Sequence, residues 1–162
     1  MGELFTVRRD GPGRLSTMAR PDGGDRLPDE LGGLAAAGVT VLVSLLSDPE
    51  VAQLDLGREG ALAAAMGIDF HRLPTSDLQV PARAATIELA TTLRGLLADG
   101  ADVAVHCHAG IGRSSTLVAA VLVLDGVDPV DAWARIATAR RLPVPDTAAQ
   151  RAFILTLMRD PV

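Results

Sequence analysis

Short apolar runs alternate along the chain with longer segments whose apolar residues recur every three or four positions. The longest β-branched run, Val39–Leu46, has almost no polar interruption. That pattern predicts a strand buried on both faces of a parallel sheet. Val103–Cys107 reads the same way, and Asp69–Leu73 predicts a shorter strand. Leu4–Val7 and Ser16–Ala19 are further strand candidates, separated by the turn-rich Asp10–Gly13 and followed by the turn Pro21–Gly24. Helical periodicity predicts Leu27–Ala37, ended by Gly38. A second helical region starts at Ser47-Asp48-Pro49-Glu50 and runs toward Met66, with a break near Gly57 or Gly60. Pro81 opens a third helix with Ile87, Ala90, Leu93 and Leu97 on one face. Ser114–Leu124 is apolar almost all round and predicts a central, buried helix. Asp128-Pro129 caps a helix carrying Trp133 and Ile136, both read as core, as is Phe70 on its strand. After the bend Leu142–Pro145, a last helix places Phe153, Ile154, Leu157 and Met158 on one side. Strands alternating with helices predict an α/β fold, a mainly parallel central sheet flanked by helices. Ligands in such folds bind beyond the carboxyl ends of the strands.

No repeat or low-complexity linker divides the 162 residues, so residues 1–162 read as a single domain. Hydrophobic residues make up 48% and charged residues 22%, enough apolar material for one core and too much for a disordered chain. The 15 basic residues are all arginine and stand against 20 acidic ones, a formal net charge of -5. That balance disfavours a nucleic-acid partner. Lysine, asparagine and tyrosine are all missing. Their codons are A/T-rich, so a GC-rich and hence bacterial genome is expected. The longest clean apolar stretch, Leu117–Leu124, is far below the roughly 20 residues needed to span a bilayer. Residues 1–15 lack the basic-then-apolar order of a secretory leader. Met1-Gly2 with Thr6 fits a loose myristoylation pattern and is read as chance. A cytoplasmic protein with no membrane partner is expected, in keeping with a lone cysteine, which can form no disulfide within the chain.

The chemistry concentrates in His106-Cys107-His108-Ala109-Gly110-Ile111-Gly112-Arg113-Ser114. A cysteine ends a buried strand, a short loop follows, and a helix begins at once. Backbone N–H groups of such a loop can curl around one centre as an anion-binding nest. The helix N-terminus adds unpaired N–H groups and the positive end of its dipole. Gly110 and Gly112 allow conformations and close approaches that a side chain would block. Arg113 supplies a planar fork matched to two oxygens of a phosphate. The cradle suits a tetrahedral oxyanion, held by the backbone of His108, Ala109, Gly110, Ile111 and Gly112 with Arg113. Thiols at helix N-termini beside arginine ionise readily. Loop and sulfur together imply attack of Cys107 on phosphorus.

This segment resembles the signature H-C-x5-R-[ST] of the cysteine-dependent protein tyrosine and dual-specificity phosphatases, with His106, Cys107, Gly110, Arg113 and Ser114 all matching. The resemblance implies a protein-tyrosine-phosphatase-like fold and a phosphocysteine intermediate. It also implies an aspartate on a loop about thirty residues upstream, and Leu73–Pro81 resembles that loop, with Asp77 30 positions before Cys107. Arg113 and the loop amides would then bind the phosphate while Cys107 attacks and Asp77 protonates the departing oxygen. Water would hydrolyse the phosphocysteine with Asp77 as base and Ser114 easing the sulfur's departure. His106 would orient the loop from the strand end. No metal and no cofactor is implied, because Arg113 and the amides stabilise the oxyanion. Near the C-terminus, Gln150 matches one glutamine of the family's glutamine loop. Asp146 stands in place of the other and is read as a cap for the last helix. Which residue orients the hydrolytic water stays open.

Asp48 and Asp69 are weaker acid candidates, the one a helix cap and the other a strand start. His106, Cys107 and His108 would not flank one metal ion, since alternate strand positions face opposite ways. His71 is read as structural or at the rim. Arg72, Arg140 and Arg141 either line the rim or are solvated. The chain lacks the tyrosine on which larger tyrosine phosphatases stack their substrate, so it resembles the small dual-specificity-like members. The expected partner is a phosphorylated protein, or a small phosphomonoester. Phosphotyrosine is the first substrate reading, with phosphoserine and phosphothreonine beside it. The rivals are a phosphoinositide or an RNA 5′-phosphate, a phosphate-binding pseudophosphatase, and a rhodanese-like sulfurtransferase.

Overall fold

The computed structural model describes residues 1–158. The strands are β1 (Phe5–Thr6), β2 (Arg14–Met18), β3 (Val41–Ser44), β4 (Asp69–Arg72) and β5 (Asp102–His106). The helices are α1 (Leu27–Ala36), α2 (Asp48–Gln53), α3 (Glu59–Ala65), α4 (Arg83–Ala98), α5 (Arg113–Leu124), α6 (Pro129–Arg140) and α7 (Ala148–Thr156). The sheet order is β1-β2-β5-β3-β4, and only the β1–β2 pair is antiparallel. The mainly parallel α/β architecture expected from the alternation of elements is therefore present.

Each central strand buries both faces, which is why its sequence shows no polar alternation. Val41, Val43, Val103, Val105 and Leu15 join a core with α4, α5, α6 and α7. Leu42, Ala104 and Met18 join a second core with α1 and α3 on the opposite face. Every residue of α5 from Arg113 to Val123 is buried, so this helix is locked among neighbours. Trp133 lies in the first core, whereas Phe70 packs against the second only partly buried.

The register matters most for function. Met18, His106, Ser44 and Arg72 stand side by side across the ladder. Four parallel strands thus end level, and the segments that follow them gather at one edge. Those segments carry Arg20, Glu50, Asp77 and Cys107.

Several boundaries differ from expectation for identifiable reasons. β3 is shorter than the apolar run because Val39 N–H closes α1 by donating to the Leu34 carbonyl, and Leu45 and Leu46 are buried beyond the strand end. Helix α2 is capped by Ser47 in a reciprocal capping box with Glu50, not by Asp48, which instead pairs with Arg72 at 2.8 Å. The break before α3 falls at Leu54–Arg58, where Asp55 has a φ of 53°. Helix α7 ends at Thr156, which leaves Met158 exposed rather than on the packed side. Among the described residues no helix is long and apolar enough to cross a membrane.

Candidate active site

Cys107 follows β5 directly and is 3% exposed. The segment Cys107–Gly112 turns over it and enters α5 at Arg113. The turn requires glycine at one point: Gly110 has a φ of 74°, and a Cβ there would come within 2.5 Å of the Met18 carbonyl oxygen. The loop's carbonyls are drawn outward by named partners. His106 Nδ1 donates to Cys107 O (3.1 Å) and Arg20 N to His108 O (3.1 Å). The Arg140 guanidinium donates to Ala109 O (3.0 Å) and Gly110 O (3.2 Å). The Gly112 carbonyl accepts from both the amide (3.0 Å) and the hydroxyl (2.8 Å) of Thr116. Among the described residues, the amides of His108 to Gly112 have no intramolecular acceptor. A loop with its carbonyls tied back and its N–H groups unspent is a seat for an oxyanion.

The sulfur lies on the floor of that seat. The Ser114 hydroxyl stands 3.3 Å from Cys107 Sγ, placed to hydrogen-bond to it. On the face of β5 opposite the first core, His106 is fully buried, with Nε2 2.6 Å from Glu59 Oε1. A carbonyl only accepts, so the Nδ1 contact needs its own proton, and the contact with Glu59 needs another. The two contacts together fix the ring against the Cys107 carbonyl. His108 is exposed on the loop beyond the end of β5, whereas His106 is buried within the strand. Among the described residues no group of three or more His, Cys, Asp or Glu side chains is arranged to hold a metal ion.

Arg113 is 2% exposed and its fork is held from behind. Nη1 and Nη2 donate to the two carboxylate oxygens of Glu50 at 2.7 and 2.9 Å, and Nη1 also donates to the Thr75 carbonyl at 2.8 Å. The hydrogen bonds from Arg113 lower the Glu50 pKa from 4.5 to about 2, against the opposing effect of burial and with help from Ser47. The guanidinium is raised in turn: Glu50, the Cys107 sulfur and Asp77 together outweigh its desolvation. A carboxyl whose pKa is lowered on folding stabilises the folded state above its ordinary value and loses that contribution as pH falls through the lowered one. Resistance to urea is therefore expected to decline from about pH 4.5 toward pH 2. In Glu50→Gln the decline over that window should be shallower. A Glu50→Gln protein with the parent's slope would show that this pair contributes nothing to the acid limb.

Asp77 lies at the mouth, 65% exposed, with Oδ1 3.3 Å from Arg113 Nη2 and accepting from the Leu78 amide at 2.9 Å. Its loop is rooted by Thr75, whose amide donates to Leu45 O, and is held farther along by Gln150 Nε2 donating to Gln79 O at 3.3 Å. Gln150 is fully buried, and its Oε1 accepts from the amides of Asp146 and Thr147. Thr147, not Asp146, is the cap of α7, in a capping box with Gln150. The Asp146 carboxylate instead presses against Gly112, where a side chain would overlap it. Burial and the neighbouring Asp77 raise its pKa, opposed by Arg113.

The structure thus brings together Cys107, Ser114, Arg113, Asp77 and the whole loop, with His106 and Gln150 in support. Glu50, Glu59 and Thr75 join them without having been singled out as parts of the site, and Arg140, read as a rim or solvated residue, joins them from behind the loop. The rim arginines are committed elsewhere. Arg72 bonds Asp48 and the Leu46 carbonyl, Arg140 backs the loop and lies over Phe5, and Arg141 pairs with Glu3. His71 pairs with Asp69 at 2.8 Å on β4.

A cysteine under an oxyanion nest, at the strand ends of this sheet, defines the class of the dual-specificity and tyrosine phosphatases. Solved members share the fold. Kinase-associated phosphatase, with its catalytic cysteine replaced by serine, aligns with a TM-score of 0.85 at 18% identity over 99% of this chain and 98% of its own. Tk-PTP in its active form aligns with a TM-score of 0.78 at 22% identity over 96% and 97%. PTPMT1 in complex with PI(5)P aligns with a TM-score of 0.73 at 23% identity over 95% and 97%. No curated protein sequence matches the chain. The family model described as "Polymorphic toxin system, DSP-PTPase phosphatase" matches residues 16–127, from β2 through α5, and the chain belongs to that family.

Proposed function

We propose that the protein hydrolyses phosphotyrosine, with phosphoserine and phosphothreonine as further substrates, through a phosphocysteine intermediate. The observation that carries this reading is the convergence on one loop of the Cys107 sulfur, the Ser114 hydroxyl at 3.3 Å and the Arg113 fork, with Asp77 facing that fork at 3.3 Å. The loop amides and Arg113 bind the phosphoryl oxygens. Cys107 attacks phosphorus in line, and Asp77 gives its proton to the departing oxygen. Water then cleaves the P–S bond while Ser114 stabilises the returning thiolate. Leu78 and Val80, exposed on the loop of Asp77, offer an apolar wall for an aryl ring in a chain with no tyrosine. The loop holds His108, Ala109 and Ile111 where a multiply charged headgroup would be served by cations.

Loss of the proton donor should show in the leaving group. General acid catalysis contributes about 10²–10⁴-fold. Asp77→Asn is expected to lose that much kcat on a phenyl or alkyl phosphate and far less on a strongly activated aryl phosphate. Equal losses on both would remove Asp77 from the acid role. A panel of phosphotyrosine, phosphoserine and phosphothreonine peptides beside phosphoinositide vesicles decides the substrate. The highest kcat/KM is expected on phosphotyrosine, and a preference for the vesicles would overturn that assignment.

A further inference from the structure

We propose that Asp146, rather than Asp77, is the general base that activates water in the second half of the reaction. The inference rests on the phosphocysteine reading above and adds to it a division of labour between two carboxylates. Asp77 is already engaged: its Oδ1 accepts from the Leu78 amide and faces Arg113. The Asp146 side chain has no hydrogen bond or ion pair among the described residues. Its backbone is nonetheless fixed, because Gln150 Oε1 accepts from the Asp146 amide at 3.0 Å and the same side chain reaches the Asp77 loop through Gln79. Gly112, the last residue of the oxyanion loop, leaves the room that the Asp146 carboxylate fills. An uncommitted carboxylate held against the rim of a phosphate seat is placed to take a proton from a water that enters there.

The step balances without any further reactant. A water oxygen forms a bond to phosphorus as the P–S bond breaks, and that electron pair returns to Cys107 as thiolate. The water's proton goes to the Asp146 carboxylate and from there to solvent, leaving inorganic phosphate. Asp146 must be ionised for this. Its pKa is raised by burial and by Asp77, the like charge across the site, and is opposed by Arg113. The second step should therefore fail on the acid side of its pH profile.

Rapid-quench kinetics on Asp146→Asn with an activated aryl phosphate test the assignment. The expected result is a stoichiometric burst of aryl alcohol, a steady rate at least about 10²-fold below the parent and a phosphoryl adduct on the protein by intact mass. The steady rate should be the same for good and poor leaving groups, and Asp146→Glu should restore part of it. A kcat within two-fold of the parent with no burst would overturn the inference. So would a fall in kcat with no accumulated adduct and a leaving-group dependence like that of Asp77→Asn. Cys107→Ser, run beside it, separates the two levels. Turnover retained there would remove the phosphocysteine reading itself, whereas a dead Cys107→Ser with an unaffected Asp146→Asn removes only the role given to Asp146.

Discussion

Replacing Cys107 by serine is expected to end phosphate release from every phosphomonoester, while the folded protein still binds an oxyanion. The reasoning is local. Cys107 is 3% exposed beneath the loop, so a group of similar shape fits without repacking. The side-chain oxygen hydrogen-bonded to the sulfur is another hydroxyl, that of Ser114, which is no base for a serine proton. The nest of amides and Arg113 do not depend on the sulfur for their position. Steady-state assay together with vanadate or phosphate titration separates the two properties. Measurable turnover in the serine variant would place the nucleophile elsewhere. Loss of anion binding with loss of folding would show that the sulfur is needed structurally.

Arg113→Lys is expected to reduce kcat/KM by about 10³-fold or more. Removal of a single oxyanion donor costs about 10²–10³, and here a two-pronged donor becomes a point charge. The guanidinium also grips both oxygens of the Glu50 carboxylate through Nη1 and Nη2 while Nη1 reaches the Thr75 carbonyl, a two-pronged hold that a single ammonium does not reproduce. The root of the Asp77 loop therefore loosens in the same variant. Kinetics on activated and unactivated substrates distinguish the two effects, since displacement of Asp77 adds a leaving-group dependence. A loss under ten-fold would show that the loop amides bind phosphate without the fork.

The parts of this site that could be read from the sequence are the parts made by neighbours in the chain. Cys107 through Ser114 form one strand–loop–helix unit, so their spacing alone places them. Asp77 was accessible through the resemblance of Leu73–Pro81 to the family's acid loop, which begins at the end of a strand of the same sheet. Glu50 shows the limit. Its spacing from Ser47 announced a capping box, which is present. Nothing local announced that the same carboxylate would meet an arginine 63 residues away. Glu59 resembles the charged face of a short helix, and only the packing of α3 against the sheet reveals it as the buried partner of His106. Asp146 was misassigned although a signal was available. Thr147 and Gln150 carry the capping-box spacing themselves, which leaves the preceding carboxylate without that duty. Arg140 was considered for the front of the pocket and works behind it, a distinction that requires knowing which way the loop's carbonyls turn.

That outward turn has a consequence for what binding costs. With the carbonyls of Cys107, His108, Ala109, Gly110 and Gly112 already satisfied, an arriving anion has no backbone to rearrange. The entropy of ordering the loop is lost once, when the chain folds, and not at each turnover. The same preparation serves substrate and product alike. Inorganic phosphate is expected to find a seat as ready for it as for the ester, so it should compete with substrate for the loop.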